Sequence, residues 1–436
     1  METNEKYPRG CTCCVISALC IPTIVILVVG FLFAKYGMYQ PTIPPAAPLP
    51  SPNGFDNIVT AGNMLKANGG TTAIYVKNSS SVSLEGEKLV ASKNQATLVE
   101  LRKAFRIPCR VPMPRELNAA FPYLSNTRDL ARLLQADAEV HMHHGDYSGA
   151  FRNGEESLQL GNDIMQGGSY IHGLVGIACS AIGQRYQLIA LDHLSISDCA
   201  AYLPRLQKLI HDTPSSPDIM KEDRAFTLTI LTNLKSPDDL SLVHGDQPPT
   251  PLSEWGLFVW RMRRDRSIKD LDTYYAGVLA NCSKPATLRS PISLPTSEFA
   301  DIVGPLNKEL HRFDEGEAHN RLLLAALAIR RYKLQHGRLP DTISQSGLPN
   351  DLTTDPYNGK QIIYKPSGGN YLLYCVGPDG KDDGGVPQDE ADRENPGDIG
   401  LRDFIHRKKG RMGYSYRLVP HMKPPILKKG WAPLLK

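Results

Sequence analysis

Residues 12–34, TCCVISALCIPTIVILVVGFLFA, run for 23 positions without a charged side chain. As a helix rising 1.5 Å per residue, such a run is ~35 Å long, enough to cross a hydrocarbon core of ~30 Å. Beyond it the pattern changes to amphipathic helices. Asn53 is placed to cap a first helix that Gly69-Gly70 ends, and Leu98, Leu101 and Phe105 fall at helical spacing before Pro108. Leu130, Leu133, Leu134, Ala138 and Val140 form an apolar stripe, and Gly145-Asp146 joins that helix to the next. Further helices are expected over 170–191, from Ser197 onward with Pro204 kinking or delaying it, and over 217–234. HGDQPPTPLSEWG then separates these from a basic helical patch, RMRRDRSIKDLDTYYAGVLAN.

The pattern switches again near the C-terminus. Leu322, Leu323, Ala326, Leu327, Ile329 and Tyr332 predict a strongly apolar helix that Gly337 ends and Pro340 keeps from continuing. Asn358-Gly359 supplies a tight turn, Ile362 and Tyr364 share a face, and SGGN returns the chain into YLLYCV. There Leu372, Tyr374 and Val376 alternate with Tyr371, Leu373 and Cys375, the period of a strand. The expected fold is therefore mainly α, with a small α+β module containing an antiparallel hairpin. The boundaries follow: a cytoplasmic N-terminus over 1–11, an anchor over 12–34 and a proline-rich stalk over 35–53. A helical domain over 54–300, the α+β module over 301–401 and a basic tail over 402–436 complete the chain.

Length and charge refine this picture. At 436 residues the chain has room for two or three domains. Its net charge of +4 is unevenly placed: residues 402–436 hold ten Lys/Arg and one acid, +9, leaving 4 − 9 = −5 for the rest. Such a balance excludes a general polyanion binder. It suits the tail to anionic lipid or a cell-wall polymer, and no nucleic acid is expected outside the cytoplasm. Six prolines in PTIPPAAPLPSP favour an extended polyproline stalk that lifts the folded part off the bilayer. Of nine cysteines, four lie in or beside the anchor, and the other five allow at most two disulfides with no pairing readable from spacing.

Catalytic motifs are sparse. The sequence holds no G-x-S-x-G, H-E-x-x-H, Walker A or dinucleotide fingerprint. HMHHGD brings His141, His143, His144 and Asp146 together, and His141 and His144 share a helical face. A metal-dependent hydrolase built there needs a third ligand from elsewhere. Gly145-Asp146-Tyr147, with Ala150 three residues on, resembles the turn of a tetratricopeptide (TPR) hairpin, without recurrence at the ~34-residue period of such arrays.

ALAIRRYKLQHGRLPDT, DPYNGKQIIYKPSGGNYLLYCVGPDGKDDGG and GDIGL together resemble the C-terminal part of the type II secretion pseudopilin protein G, over roughly 318–401. The whole chain also resembles single-pass bacterial membrane proteins that carry this module behind a helical domain. The resemblance implies a calcium ion held by aspartates, here Asp379 and Asp398. Because the interval between them is long, Asp382, Asp383, Asp389 or Asp392 can substitute, and the expected ligand set is Asp379, Asp383, Asp392 and Asp398. Eight carboxylates in residues 379–398 supply the hard oxygen donors that Ca²⁺ takes. Two departures separate this chain from a filament subunit: the prepilin cleavage signature is absent, and a long helical region intervenes between anchor and module.

The expected function is a non-catalytic, calcium-stabilised scaffold or interaction protein. It would be held in the bacterial inner (cytoplasmic) membrane with most of the chain extracytoplasmic, and its partners would be envelope proteins. The alternatives are an envelope metal-dependent hydrolase at His141/His144 and an accessory of a type II secretion or pilus-like system.

Overall fold

The computed structural model describes residues 23–31, 39–74, 83–116, 119–239, 254–297, 299–386 and 397–401. The chain is mainly helical, with a small C-terminal three-stranded antiparallel sheet. The helices are α1 (residues 23–31), α2 (Gly54–Ala67), α3 (Leu84–Lys93), α4 (Gln95–Ala104) and α5 (Tyr123–His143). There follow α6 (Tyr147–Met165), α7 (Tyr170–Leu191), α8 (Ile196–His211), α9 (Ser216–Asn233) and α10 (Glu254–Cys282). The short α11 (Ala300–Val303) and α12 (Leu306–Glu309) lead into α13 (His311–His336). The strands are β1 (Ile363–Ser367), β2 (Asn370–Cys375) and β3 (Ile399–Gly400).

Local chemistry explains the helix ends. Asn53 Oδ1 accepts the Phe55 N–H at 3.2 Å and the Arg110 N–H at 2.9 Å, so the cap of α2 also ties down the segment after α4. Asp146 caps α6 by accepting the Gly149 N–H at 2.8 Å. Pro204 does not delay α8. The helix begins at a Ser195/Asp198 capping box and runs through the proline, whose ring faces solvent, where water can take the missing hydrogen bond. No periodic signal had pointed to α3.

The centre of the bundle is the α6–α7 pair. Two glycines on each helix, seven residues apart, meet across it: a Cβ on Gly161 would lie 2.6 Å from the Gly176 carbonyl oxygen, and one on Gly154 would lie 2.9 Å from that of Gly183. The helices therefore pack main chain against main chain. Among the described residues α7 is the only helix long and apolar enough to cross a membrane, yet 67% of its most apolar window is buried inside the bundle. Phe55, Leu98, Leu130 and Leu134 close one side of the bundle against Cys179 and Ile182 of α7.

One continuous core links the bundle to the sheet. Along α13, Leu322 to Ile329 are all buried, and the same cluster holds Phe151, Tyr186, Tyr202 and Leu206 together with Tyr357, Leu373 and Cys375. The helix that opens the expected module is thus shared with the bundle. The sheet has order β1-β2-β3, with Ile363 opposite Tyr374 and Ser367 opposite Asn370. Gly368 and Gly369, at φ +55° and +84°, make the two-residue turn. A third strand not separately expected, β3, pairs Ile399 with Cys375.

The proline-rich stretch is in part docked. Tyr39 donates to Asp272 on α10, Arg224 donates to the Thr42 carbonyl at 3.1 Å, and Arg115 donates to that of Pro44 at 2.7 Å. Tyr39 and Ile43 pack on the α9–α10 core. Residues 44–49 are exposed. Residues 39–44 of the expected stalk therefore lie on the body. All five described cysteines are free thiols.

Candidate functional site

Asp355 organises the end of the chain. It is fully buried, and its two carboxylate oxygens accept the N–H groups of Tyr357 at 2.8 Å and Val376 at 2.7 Å. Its main chain closes the DPYNG turn, donating to Lys360 and accepting from Gly359. Burial pushes its pKa up to about 6, despite two hydrogen bonds that favour the charged form. In the sequence this residue stood out only as the first letter of the DPYNG stretch, with the tight turn assigned to Asn358-Gly359. The proline after it and the glycine four positions on were the available signal.

The acidic loop begins directly after β2. Asp379 Oδ1 accepts the Lys381 N–H at 3.1 Å, while its buried Oδ2 accepts no hydrogen bond and has Lys381 Nζ at 3.9 Å. Asp382 is committed elsewhere: it accepts the Tyr374 hydroxyl at 2.7 Å and the Gly384 N–H at 2.9 Å, and pairs with Lys365 at 3.4 Å. Asp383 Oδ2 is buried without a hydrogen-bond partner. Asp398, bridged at the start of β3, is 1% exposed. Its Oδ2 accepts the Gly385 N–H at 2.7 Å, and its Oδ1 is buried and accepts nothing. Burial, then the charges of Asp382 and Asp383, raise its pKa. Asp389 and Asp392 lie outside the described residues.

Three of the four expected calcium ligands thus each carry an unsatisfied buried carboxylate oxygen, the donor type a hard cation takes. Among the described residues, however, no three His, Cys, Asp or Glu side chains converge closely enough to hold an ion by themselves. An ion here would also have to draw on main-chain carbonyls and water, which Ca²⁺ accepts readily.

The histidine turn is arranged differently. His141 Nδ1 lies 2.7 Å from Asp146 and its Nε2 lies 3.7 Å from Asp137, so both ring nitrogens face carboxylates of its own hairpin. His143 and His144 are exposed, stacked on one another with ring centroids 5.8 Å apart. His141 and His144 therefore do not converge, and the third ligand that a hydrolase needs is missing among the described residues. Gly149 is required beneath this turn, because a Cβ there would sit 2.5 Å from His141 Nδ1.

The bundle interior holds ionisable groups that no periodic pattern revealed. Glu87 on α3 is pushed up to about 8, first by burial and then by Glu139, with Arg185 opposing. Burial likewise pushes Glu155 on α6 up to about 8, against the pull of Arg205 at 3.0 Å. His172, fully buried and 2.8 Å from the Tyr123 hydroxyl, is pushed down to about 4 by burial. They come from different helices, so only the tertiary fold brings them inside. No family model matches this chain, and neither curated proteins nor solved structures give a match.

Proposed function

We propose that this chain is a single-pass bacterial membrane protein that holds a helical scaffold outside the cytoplasm, for interaction with other envelope proteins. The observation that carries this reading is α1. Ile24, Val25, Ile26, Leu27, Val28 and Phe31 are between 51% and 69% exposed, while apolar side chains along α5–α7 and α13 are buried. A contiguous apolar surface of this kind on a helix calls for lipid or a partner. The scaffold reading is supported by the histidine turn, whose His141 is engaged by its own hairpin.

The end of the chain, a helix followed by a hairpin, an acidic loop and a short strand, has the order that the pseudopilin-G resemblance implies. We read it as that module reused as a cap on the bundle, because α13 is buried on both sides and is not free to pack in a filament. A structural calcium ion there would be held by Asp398 and at most one of Asp379 and Asp383, with main-chain carbonyls and water completing the shell, and would relieve the crowding of carboxylates around Asp398.

Alkaline carbonate extraction of cell membranes tests the anchor. The full chain is expected in the membrane pellet, and a Val25→Arg/Leu27→Arg variant in the supernatant, since each arginine costs ~3 kcal/mol at a helix centre. Release of the unaltered chain by carbonate would overturn the reading.

A further inference from the structure

We propose that the N-terminal half of α10 lies on the anionic surface of the membrane that anchors the chain, and so sets the orientation of the scaffold. This rests on the anchor reading and adds a surface to it. Trp260, Ser267, Ile268 and Leu271 are buried and define the inner face of the helix. By helical spacing, Phe258, Val259 and Met262 fall on the opposite side, where Val259 is 39% exposed. Arg261, Arg263 and Arg266 are exposed beside them. Arg264 is turned inward instead, over the Trp260 ring at 5.8 Å. Residues 256–270 hold five basic and two acidic side chains, a local charge of 5 − 2 = +3. Apolar residues flanked by arginines are the arrangement of a helix lying in a lipid interface.

Two further observations single out the membrane as the occupant. Tyr39 docks on Asp272 of this same helix, so the tether from the anchor lands on α10. Eight steps of chain separate Phe31 from Tyr39, a reach of at most ~28 Å. Met262 lies ten residues along α10 from Asp272, ~15 Å at helical rise. The patch is therefore close to where the chain meets the bilayer, and its charge complements anionic headgroups.

The test uses the full chain reconstituted into vesicles of phosphatidylcholine alone or mixed with phosphatidylglycerol. Arginine modification by phenylglyoxal is followed site by site by mass spectrometry. Arg261, Arg263 and Arg266 are expected to react about fivefold more slowly in the anionic vesicles, the fold-change that ~1 kcal/mol per basic residue near such a surface gives, with Arg338 unchanged. High salt should remove the difference. Equal rates in the two lipids, with the chain still resistant to carbonate, would overturn this surface alone and leave the patch to a protein or polymer partner. Extraction of the chain by carbonate would overturn the surface and the anchor together. An Arg261→Gln/Arg263→Gln/Arg266→Gln variant should show equal Phe258→Trp quenching by brominated lipid in both vesicles, whereas Phe258→Trp alone should be quenched more in the anionic ones.

Discussion

At the α6–α7 crossing, Gly154 and Gly161 let two helices touch main chain to main chain, whereas at the start of the sheet one carboxylate, Asp355, ties a turn to the end of β2. The first region depends on missing side chains and tolerates no added volume. The second depends on a single polar group whose every hydrogen bond is made to the backbone. Asp398, in the same module, has half of that arrangement: one oxygen is satisfied by Gly385 and the other by nothing in the described chain. Asp355 is thus closed within the turn it organises, and Asp398 is bonded through one oxygen only.

The largest effect is expected at the helix crossing. Gly161→Leu should cost about 3 kcal/mol or more in chemical denaturation, because the nearest atom is a carbonyl that cannot move aside without its helix. A cost below that of an ordinary surface change would mean that the helices stand farther apart. Asp355→Ala should cost about 3 kcal/mol, as two buried N–H groups lose their acceptor. Hydrogen exchange should locate the damage at Tyr357 and Val376 and leave α6 and α7 protected. If α6 exchanged as fast as the sheet, the two regions would be one cooperative unit.

Calcium should separate Asp398 from Asp355. In thermal melts of the full chain, a hundredfold excess over the dissociation constant stabilises by about 2.7 kcal/mol, whatever the binding geometry. Asp398→Asn should abolish that shift. Identical melts with saturating calcium and with chelator would remove the ion from the account.

A smaller effect, about 1–2 kcal/mol, is expected from pH. Glu87 and Glu155 are raised from an ordinary 4.5 to about 8, so the stability they contribute is full below 4.5 and is lost as pH climbs through 8. His172 is depressed from 6.5 to about 4, so its contribution is full above 6.5 and is lost as pH falls. These slopes oppose one another below pH 6.5, and only the carboxyl loss remains between 6.5 and 8. Asp355, raised from 3.8 to about 6, has finished losing its share by then. Hydrogen exchange at pH 6.5 and 8 should show α6 and α7 loosening while the DPYNG turn stays constant, and Glu87→Gln should reduce that loosening.

What could be read in the sequence was whatever is local. The hairpin at Gly145, the helix over 170–191, the end of α13 at Gly337 and the return at Gly368-Gly369 all follow from residues close together in the chain. The glycine pairs of α6 and α7 were equally visible as letters, but their meaning needs the antiparallel partner that brings Gly161 to Gly176. Glu87, Glu155 and His172 read as ordinary polar positions, because burial is decided by helices far away in sequence. The docking of Tyr39 on Asp272 joins residues 233 apart, which no stretch of prolines announces. In the acidic loop the sequence pointed to Asp379, Asp383, Asp392 and Asp398. Asp392 lies outside the described residues, and each of the other three has one buried oxygen without a hydrogen bond, that of Asp379 facing Lys381. The structure also assigns Asp382, named as a substitute, to Tyr374 and Lys365.

The position of the chain relative to the membrane is tested most directly by protease added to intact spheroplasts. Digestion of everything beyond residue 34, with only a short anchored fragment left behind, is the expected result. A full-length chain that stays whole until the cells are lysed would place the scaffold on the other side and contradict the account.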